Sequence, residues 1–167
     1  PKTKYQTAIY ARLSVCDLDR DNSDTMESQM DALKTYVSQQ SDMTLAGIYV
    51  DNGWSGTNFD RPDFQRMLGD VRAERINCIV VKDFSRLGRN YVETGHYLQD
   101  FFPLYHLRFI SVNDHYDSMT SDPGSMAIAM KNIVDDYYSK DLSRKVSASL
   151  DVKRKEGIHN WGHPPYG

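Results

Sequence analysis

Four short runs of apolar, largely β-branched or aromatic residues punctuate the chain: TAIYARL (7–13), LAGIYVD (45–51), CIVVKD (78–83) and LRFISVN (107–113). Runs of this length and composition predict strands. Between them apolar residues recur three and four apart, as Met26, Met30, Leu33 and Val37, then Phe64, Met67, Leu68 and Val71, then Leu98, Phe101, Phe102 and Tyr105. That spacing gathers side chains on one face of a helix. Asp24 with Glu27 reads as a capping box, and Asp60 before Arg61-Pro62 reads as a second helix start. Alternation of strands and helices predicts an α/β fold with a central, mostly parallel sheet flanked by helices.

After the turn SDPGS (121–125) the pattern turns helical and stays so to residue 155. The apolar stripe changes face along the way. Met126, Met130, Ile133 and Tyr137 form one row; Tyr138, Leu142, Val146 and Leu150 form another. A long helix with consecutive stripes packs first on its own domain and then on a second surface, for which a partner subunit is the economical candidate. A break near Ser139 is the alternative. The expected organisation is an α/β core over residues 1–122, a long C-terminal helix over 123–156, and the start of a linker over 157–167.

Composition narrows the class. Of 167 residues 40% are hydrophobic and 26% charged, the balance of an ordinary globular domain. No apolar run approaches the roughly 20 residues that span a bilayer, and the N-terminus is not a signal peptide. Cys16 and Cys78 offer neither metal spacing nor a disulfide framework, so a cytoplasmic setting is expected. A first residue other than Met and an ending in HPPYG give the expectation of a piece of a longer protein. The net charge of −3 hides an asymmetry: residues 139–167 carry six Lys/Arg against three acids, +3, leaving −6 on the first 138. A basic tail on an acidic body points to an anionic partner near the end.

In a parallel sheet ligands gather at the carboxyl ends of the strands. Those ends supply Arg12 and Ser14, then Asp51 with NGWSGTNFDR, then Lys82, Asp83, Ser85, Arg86 and Arg89. Arg12, Arg61, Arg86 and Arg89 are thereby expected to converge on Ser14, a hydroxyl inside a cage of permanent positive charge. Guanidinium groups are planar bidentate donors suited to phosphate oxygens. Phosphoryl transfer chiefly demands stabilisation of charge on those oxygens. A serine attacking a phosphodiester fits this set. Each residue also has a plainer reading. Ser14 can cap a turn, Asp51 can stabilise the Asn52-Gly53 turn, and Arg61 can pair with Asp60 or Asp63 at the surface. Arg86 and Arg89 can be solvated charges at a helix start, although positive charge there opposes the helix dipole. Cys16 has no histidine nearby and reads as a free thiol, Cys78 as strand core, and His159 with His163 lack further ligands for a metal. With no Walker loop and no two-metal acid cluster in the sequence, no metal or nucleotide cofactor is expected.

YARLS (10–14), SGTNFDRPDFQRML (55–68) and KDFSRLGRN (82–90), in that order, resemble the catalytic domain of the serine recombinases, the resolvase/invertase family. YYSKDLSRKV (137–146) followed by GHPPYG (162–167) resembles its large branch, the transposon and phage integrases. The resemblance covers nearly the whole chain. It implies that Ser14 forms a 5′-phosphoserine link to DNA, that Arg12, Arg86 and Arg89 bind the scissile phosphate, and that Arg61 assists them. It further implies that Tyr10, Gln29 and Asp51 are supporting active-site residues. Ser85 stands where the small resolvases usually carry Asp, which leaves Asp83 or Asp51 as the nearby carboxylate. The proton acceptor for Ser14 stays open. Arg144 and Lys145, with Lys153 and Arg154, are expected to meet DNA phosphates. Double-stranded DNA, a homodimer through the long helix and a synaptic tetramer are the implied partners, with no membrane. The rivals are a serine phosphodiesterase or phosphatase and a flavodoxin-like dimerisation domain without catalysis.

Overall fold

The computed structural model describes residues 4–13, 26–54 and 59–155. In chain order the elements are β1 (Tyr5–Leu13), α1 (Met26–Gln39), β2 (Met43–Asn52), α2 (Pro62–Arg72), β3 (Cys78–Val81), α3 (Phe84–Leu87) and α4 (Tyr91–His96). A π-helical turn (Tyr97–Phe101), α5 (Phe102–Leu104), β4 (Arg108–Ser111), β5 (Tyr116–Asp117) and α6 (Pro123–Lys155) complete the series. The strands form one sheet in the order β2-β1-β3-β4-β5, parallel except for the antiparallel β5. The fold is therefore the α/β class that the sequence predicts. The chain steps from β1 to one side and returns past it to β3, and the carboxyl ends at such a reversal are where α/β sheets hold ligands.

Strand alternation sorts the core into two faces. Ala8 and Tyr10 of β1 join Ile79, Val81 and Phe109 under Phe64, Met67, Leu68 and Val71 of α2, with Phe84, Leu98 and Phe102 on the same side. Ile9 joins Val80 and Ile110 under Leu33 and Val37 of α1. Arg12 lies two residues beyond Tyr10, so alternation sends it to the side covered by α2 and α3. Opposite it in the ladder is Asp51.

Element ends differ from the sequence pattern in instructive ways. β3 stops at Val81 rather than 83, because Asp83 turns to cap α3 and its side chain accepts from the Arg86 amide. β5 has two residues, too few for a period to register. Asp24 lies outside the described residues. α6 runs through Ser139 without a break, and that hydroxyl bonds back to the Asp135 carbonyl at 2.7 Å, one turn earlier. The chain forms two compact units, Pro1–Ile133 and Val134–Gly167. In the first, Met126 and Met130 pack against the α2-side core. In the second, Tyr138, Leu142, Val146 and Leu150 are exposed. Among the described residues no helix is long and apolar enough to cross a membrane.

Candidate active site

Asp51, at the carboxyl end of β2, is almost fully buried and accepts three hydrogen bonds. The Asp63 amide donates to Oδ1, and the Phe64 amide and the Tyr10 hydroxyl donate to Oδ2, each at 3.0 Å. The first two are orphan donors at the start of α2. Asp51 therefore caps α2 from a neighbouring strand, in place of the Asn52-Gly53 turn contact that its sequence position suggests. Asp60 is not the cap either: Arg61 holds the N-cap position in extended backbone, its side chain making no capping bond, and Pro62 opens the helix.

Because Arg61 is at that junction, its side chain points inward. It is fully buried, with its guanidinium 4.7 Å from the Phe59 ring centroid, 5.0 Å from Phe64 and 5.6 Å from Tyr10. Its Nη1 donates to the Tyr10 hydroxyl and its Nη2 to the Leu87 carbonyl, both at 2.6 Å. The surface ion pair with Asp60 or Asp63 is thus excluded; Asp63 holds Arg66 and the Val50 amide instead. Arg12 is also fully buried. It donates to the Arg86 carbonyl (Nε, 3.4 Å), the Trp54 carbonyl (Nη1, 2.9 Å) and the Ser85 carbonyl (Nη2, 2.9 Å). Arg86 returns a bond from Nη1 to the Arg12 carbonyl at 3.2 Å, and its Nε lies 3.7 Å from Asp83. Ser85 donates its hydroxyl to Asp83. Arg86 is the third residue of α3, a single turn, and its amide donates to the N-cap Asp83. Arg89 is partly exposed and precedes Asn90, the N-cap of α4.

Arg12 feels the other three guanidinium groups. Burial, followed by the charges of Arg89, Arg61 and Arg86, pulls Arg12 down to about 10. Burial also lowers Arg61, against the opposing pull of Tyr10 and Asp51. Burial raises the Tyr10 hydroxyl, with Arg61 opposing and Asp51 reinforcing, so it stays protonated and can donate to Asp51 while accepting from Arg61. Neither Arg12 nor Arg61 forms an ion pair with a described residue. Desolvated cations crowded without a matching anion are costly, and an entering oxyanion would relieve that cost.

The family model for the resolvase N-terminal domain matches residues 7–159. The chain belongs to the resolvase family. It is a serine recombinase catalytic domain, an enzyme of site-specific DNA recombination. Among solved structures, the N-terminal catalytic domain of TP901-1 integrase is 25% identical, over 82% of this chain and 98% of that one, with a TM-score of 0.62. A resolvase family site-specific recombinase from Streptococcus pneumoniae shares the fold at 22% identity, covering 90% of this chain and 99% of that one with a TM-score of 0.60. So does the C-terminal catalytic domain of ISC1926 TnpA, an IS607-like serine recombinase, at 19% identity, 91% and 99% coverage and a TM-score of 0.55. No curated protein matches significantly.

Within this recombinase domain, direct bonds join Tyr10, Asp51 and Arg61 in one set and Arg12, Ser85, Arg86 and Asp83 in another, and Arg61 and Arg89 act on Arg12 through their charge. Ser14 lies outside the described residues and follows Leu13, whose carbonyl accepts from the Gly53 amide at 2.8 Å. Gln29 is buried in the first turn of α1, an end that a right-handed crossover brings to the carboxyl edge of the sheet. Lys145, Lys153 and Arg154 are exposed on α6; the side chain of Arg144 is outside the described set. Cys16 is likewise outside it, while Cys78 is buried in β3 and its thiol is pushed up to about 12 by desolvation. Sequence reasoning missed three parts of the site. Trp54 and Leu87 contribute only backbone carbonyls, which carry no residue signature. Asp114 accepts from the Phe84 amide at 2.8 Å and from the Ser111 hydroxyl, fixing the start of α3. An Asp in a turn after a strand gave no separate signal.

Proposed function

We propose that this domain cuts and rejoins DNA through Ser14. The Ser14 oxygen attacks the scissile phosphorus as the bond to O3′ breaks, leaving a 5′-phosphoserine and a free 3′-hydroxyl. Serine gives up its proton and O3′ takes one. The reverse attack on a new partner restores both, so the number of phosphodiester bonds is conserved and no ATP is consumed. Arg12, Arg61, Arg86 and Arg89 supply the positive potential that stabilises charge on the non-bridging oxygens. The observation that carries this reading is the burial of Arg12 against the segment that bears Arg86, at the carboxyl end of the strand that precedes Ser14 in the chain. Asp51, with its oxygens committed to α2 and Tyr10, serves the scaffold rather than proton transfer.

The finer assignment is integration or excision by a transposon or phage recombinase. Dimers form through the exposed α6 stripe, tetramers form at synapsis, and Arg144, Lys145, Lys153 and Arg154 contact phosphates. A double-stranded candidate site, 5′-labelled internally at the cut, incubated with the recombinase in EDTA tests the core claim. The expected product is label attached to the peptide containing Ser14, chased into rejoined DNA when partner DNA is added. Hydrolysed ends without religation would assign a phosphodiesterase instead. Label retained with Ser14→Ala would remove Ser14 from the mechanism.

A further inference from the structure

We propose that Phe59 is a positioning residue for cleavage, carrying Arg61 on its ring face and holding the peptide that leads into Arg89 at its ring tip. The role rests on the Ser14 reading above. Phe59 lies two residues before Arg61, outside any helix or strand, yet it is only 4% exposed. Local structure gives no reason to bury a ring there; three contacts do. The Arg61 guanidinium lies over the ring at 4.7 Å from its centroid, nearer than to Phe64 or Tyr10. A fully buried cation, with no ion pair to a described residue, gains from the negative face of an aromatic ring. The tip of the same ring meets the chain just after α3. A Cβ at Gly88 would fall 2.2 Å from Cζ and 2.8 Å from Cε2 of Phe59. The Leu87 carbonyl, in the peptide that enters Gly88, accepts from Arg61 Nη2 at 2.6 Å. Phe59, Arg61 and the Leu87–Gly88 peptide therefore close a triangle, each side a direct contact. Tyr97, at the start of the π-helical turn, and Phe64 of α2 back the ring, with centroids at 4.8 and 5.0 Å. Gln65 Nε2 donates to the Phe59 carbonyl at 2.9 Å and holds its backbone. Anchored in this way, one ring sets both the depth of Arg61 and the path of the chain into Arg89. Its effect on cleavage runs through those two arginines, whose placement to within about an ångström matters for a reaction at phosphorus. Leucine at this position keeps much of the volume but offers no face. Tyrosine keeps the face but adds an oxygen at Cζ, the atom that already abuts Gly88.

Two measurements decide the point, and the first needs no DNA. In a nitrogen–proton correlation spectrum the Arg61 Nε–H resonance should move in Phe59→Leu, because the ring current of the nearest face is gone. It should stay in place in Val37→Ala, which loosens the core on the other face of the sheet. An unmoved resonance in Phe59→Leu would overturn the proposal. The second measurement is single-turnover cleavage of DNA bearing a phosphorothioate of either configuration at the scissile position. Amplitude reports how much protein is folded. The rate constant, and its ratio between the two configurations, report how the arginines meet the non-bridging oxygens. Phe59→Leu and Phe59→Tyr should each lower the rate constant on the order of tenfold or more and shift that ratio, with DNA binding retained. Val37→Ala should alter amplitude alone. A loss confined to amplitude in either Phe59 variant would make Phe59 an ordinary core residue and overturn the proposal. If Phe59→Leu does not fold, fluorination of the Phe59 ring at both ortho positions takes its place. That change keeps the shape and drains charge from the face, and an unchanged rate constant would again overturn the proposal. Failure of the unaltered protein to cleave would count against the Ser14 reading alone, and the Arg61 resonance would still decide whether the ring places that guanidinium.

Discussion

Tyr10 shows how one hydroxyl can hold a site together. It donates to Asp51 and accepts from Arg61, so it joins the cap of α2 to a buried cation. Tyr10→Phe keeps the ring contact with Phe64 but leaves a carboxylate oxygen and a guanidinium N–H without that partner. Unfolding in urea at neutral pH should show a loss of about 1–3 kcal/mol. Asp117 carries a different test. Burial alone would raise it, but two hydrogen-bonding nitrogens of Arg108, with the Met119 amide, hold it below the ordinary carboxylate range. A group depressed in the fold contributes stability above its unfolded pKa and loses it as pH falls through the folded value. Stability should therefore drop below about pH 4, and Asp117→Asn should make that drop shallower in acid titrations followed by circular dichroism. The gathering of Arg61, Arg86 and Arg89 near Arg12 was legible in the sequence because all four lie at or beyond the carboxyl ends of neighbouring strands. The role of Asp51 was not, since the amides that donate to it lie on a helix that begins at Pro62, well beyond the strand.

At the scale of elements, strands and long helices were readable from period, whereas α3 was not. Four residues complete a single turn, and what makes that turn helical is external: Asp83 and Asp114 at its start, Arg12 and Arg61 at its end. Gly88 closes it by absence of a side chain. A Cβ there would fall 2.2 Å from Cζ of Phe59 and 2.8 Å from Oγ1 of Thr94, and Phe59 is the ring under Arg61. The backbone at Gly88 is extended, so the conflict is steric alone. Gly88→Ala should cost about 1–3 kcal/mol in thermal or chemical unfolding, with cleavage reduced beyond what the stability loss explains, because Arg89 shifts with the backbone. A companion Phe59→Leu should restore part of the stability by making room.

For the whole molecule, the long helix and its second apolar row were visible from the sequence, and the row is exposed on the chain as it stands, with Leu142 at 63% and Tyr138 at 65%. Replacing Leu142 and Val146 by Ser should reduce self-association in sedimentation experiments. The melting of the Pro1–Ile133 unit should change by no more than about 0.5 kcal/mol, as for surface substitutions generally. Strand order has a further consequence, for synthesis. Arg12 lies 73 and 74 residues before the two carbonyls of α3 that it serves. At roughly 5–20 residues per second a ribosome needs about 4–15 s to make that interval. Throughout it the nascent β1 bears a cation whose partners on α3 have not yet been made, so this buried guanidinium cannot be closed in until the ribosome has passed Arg86.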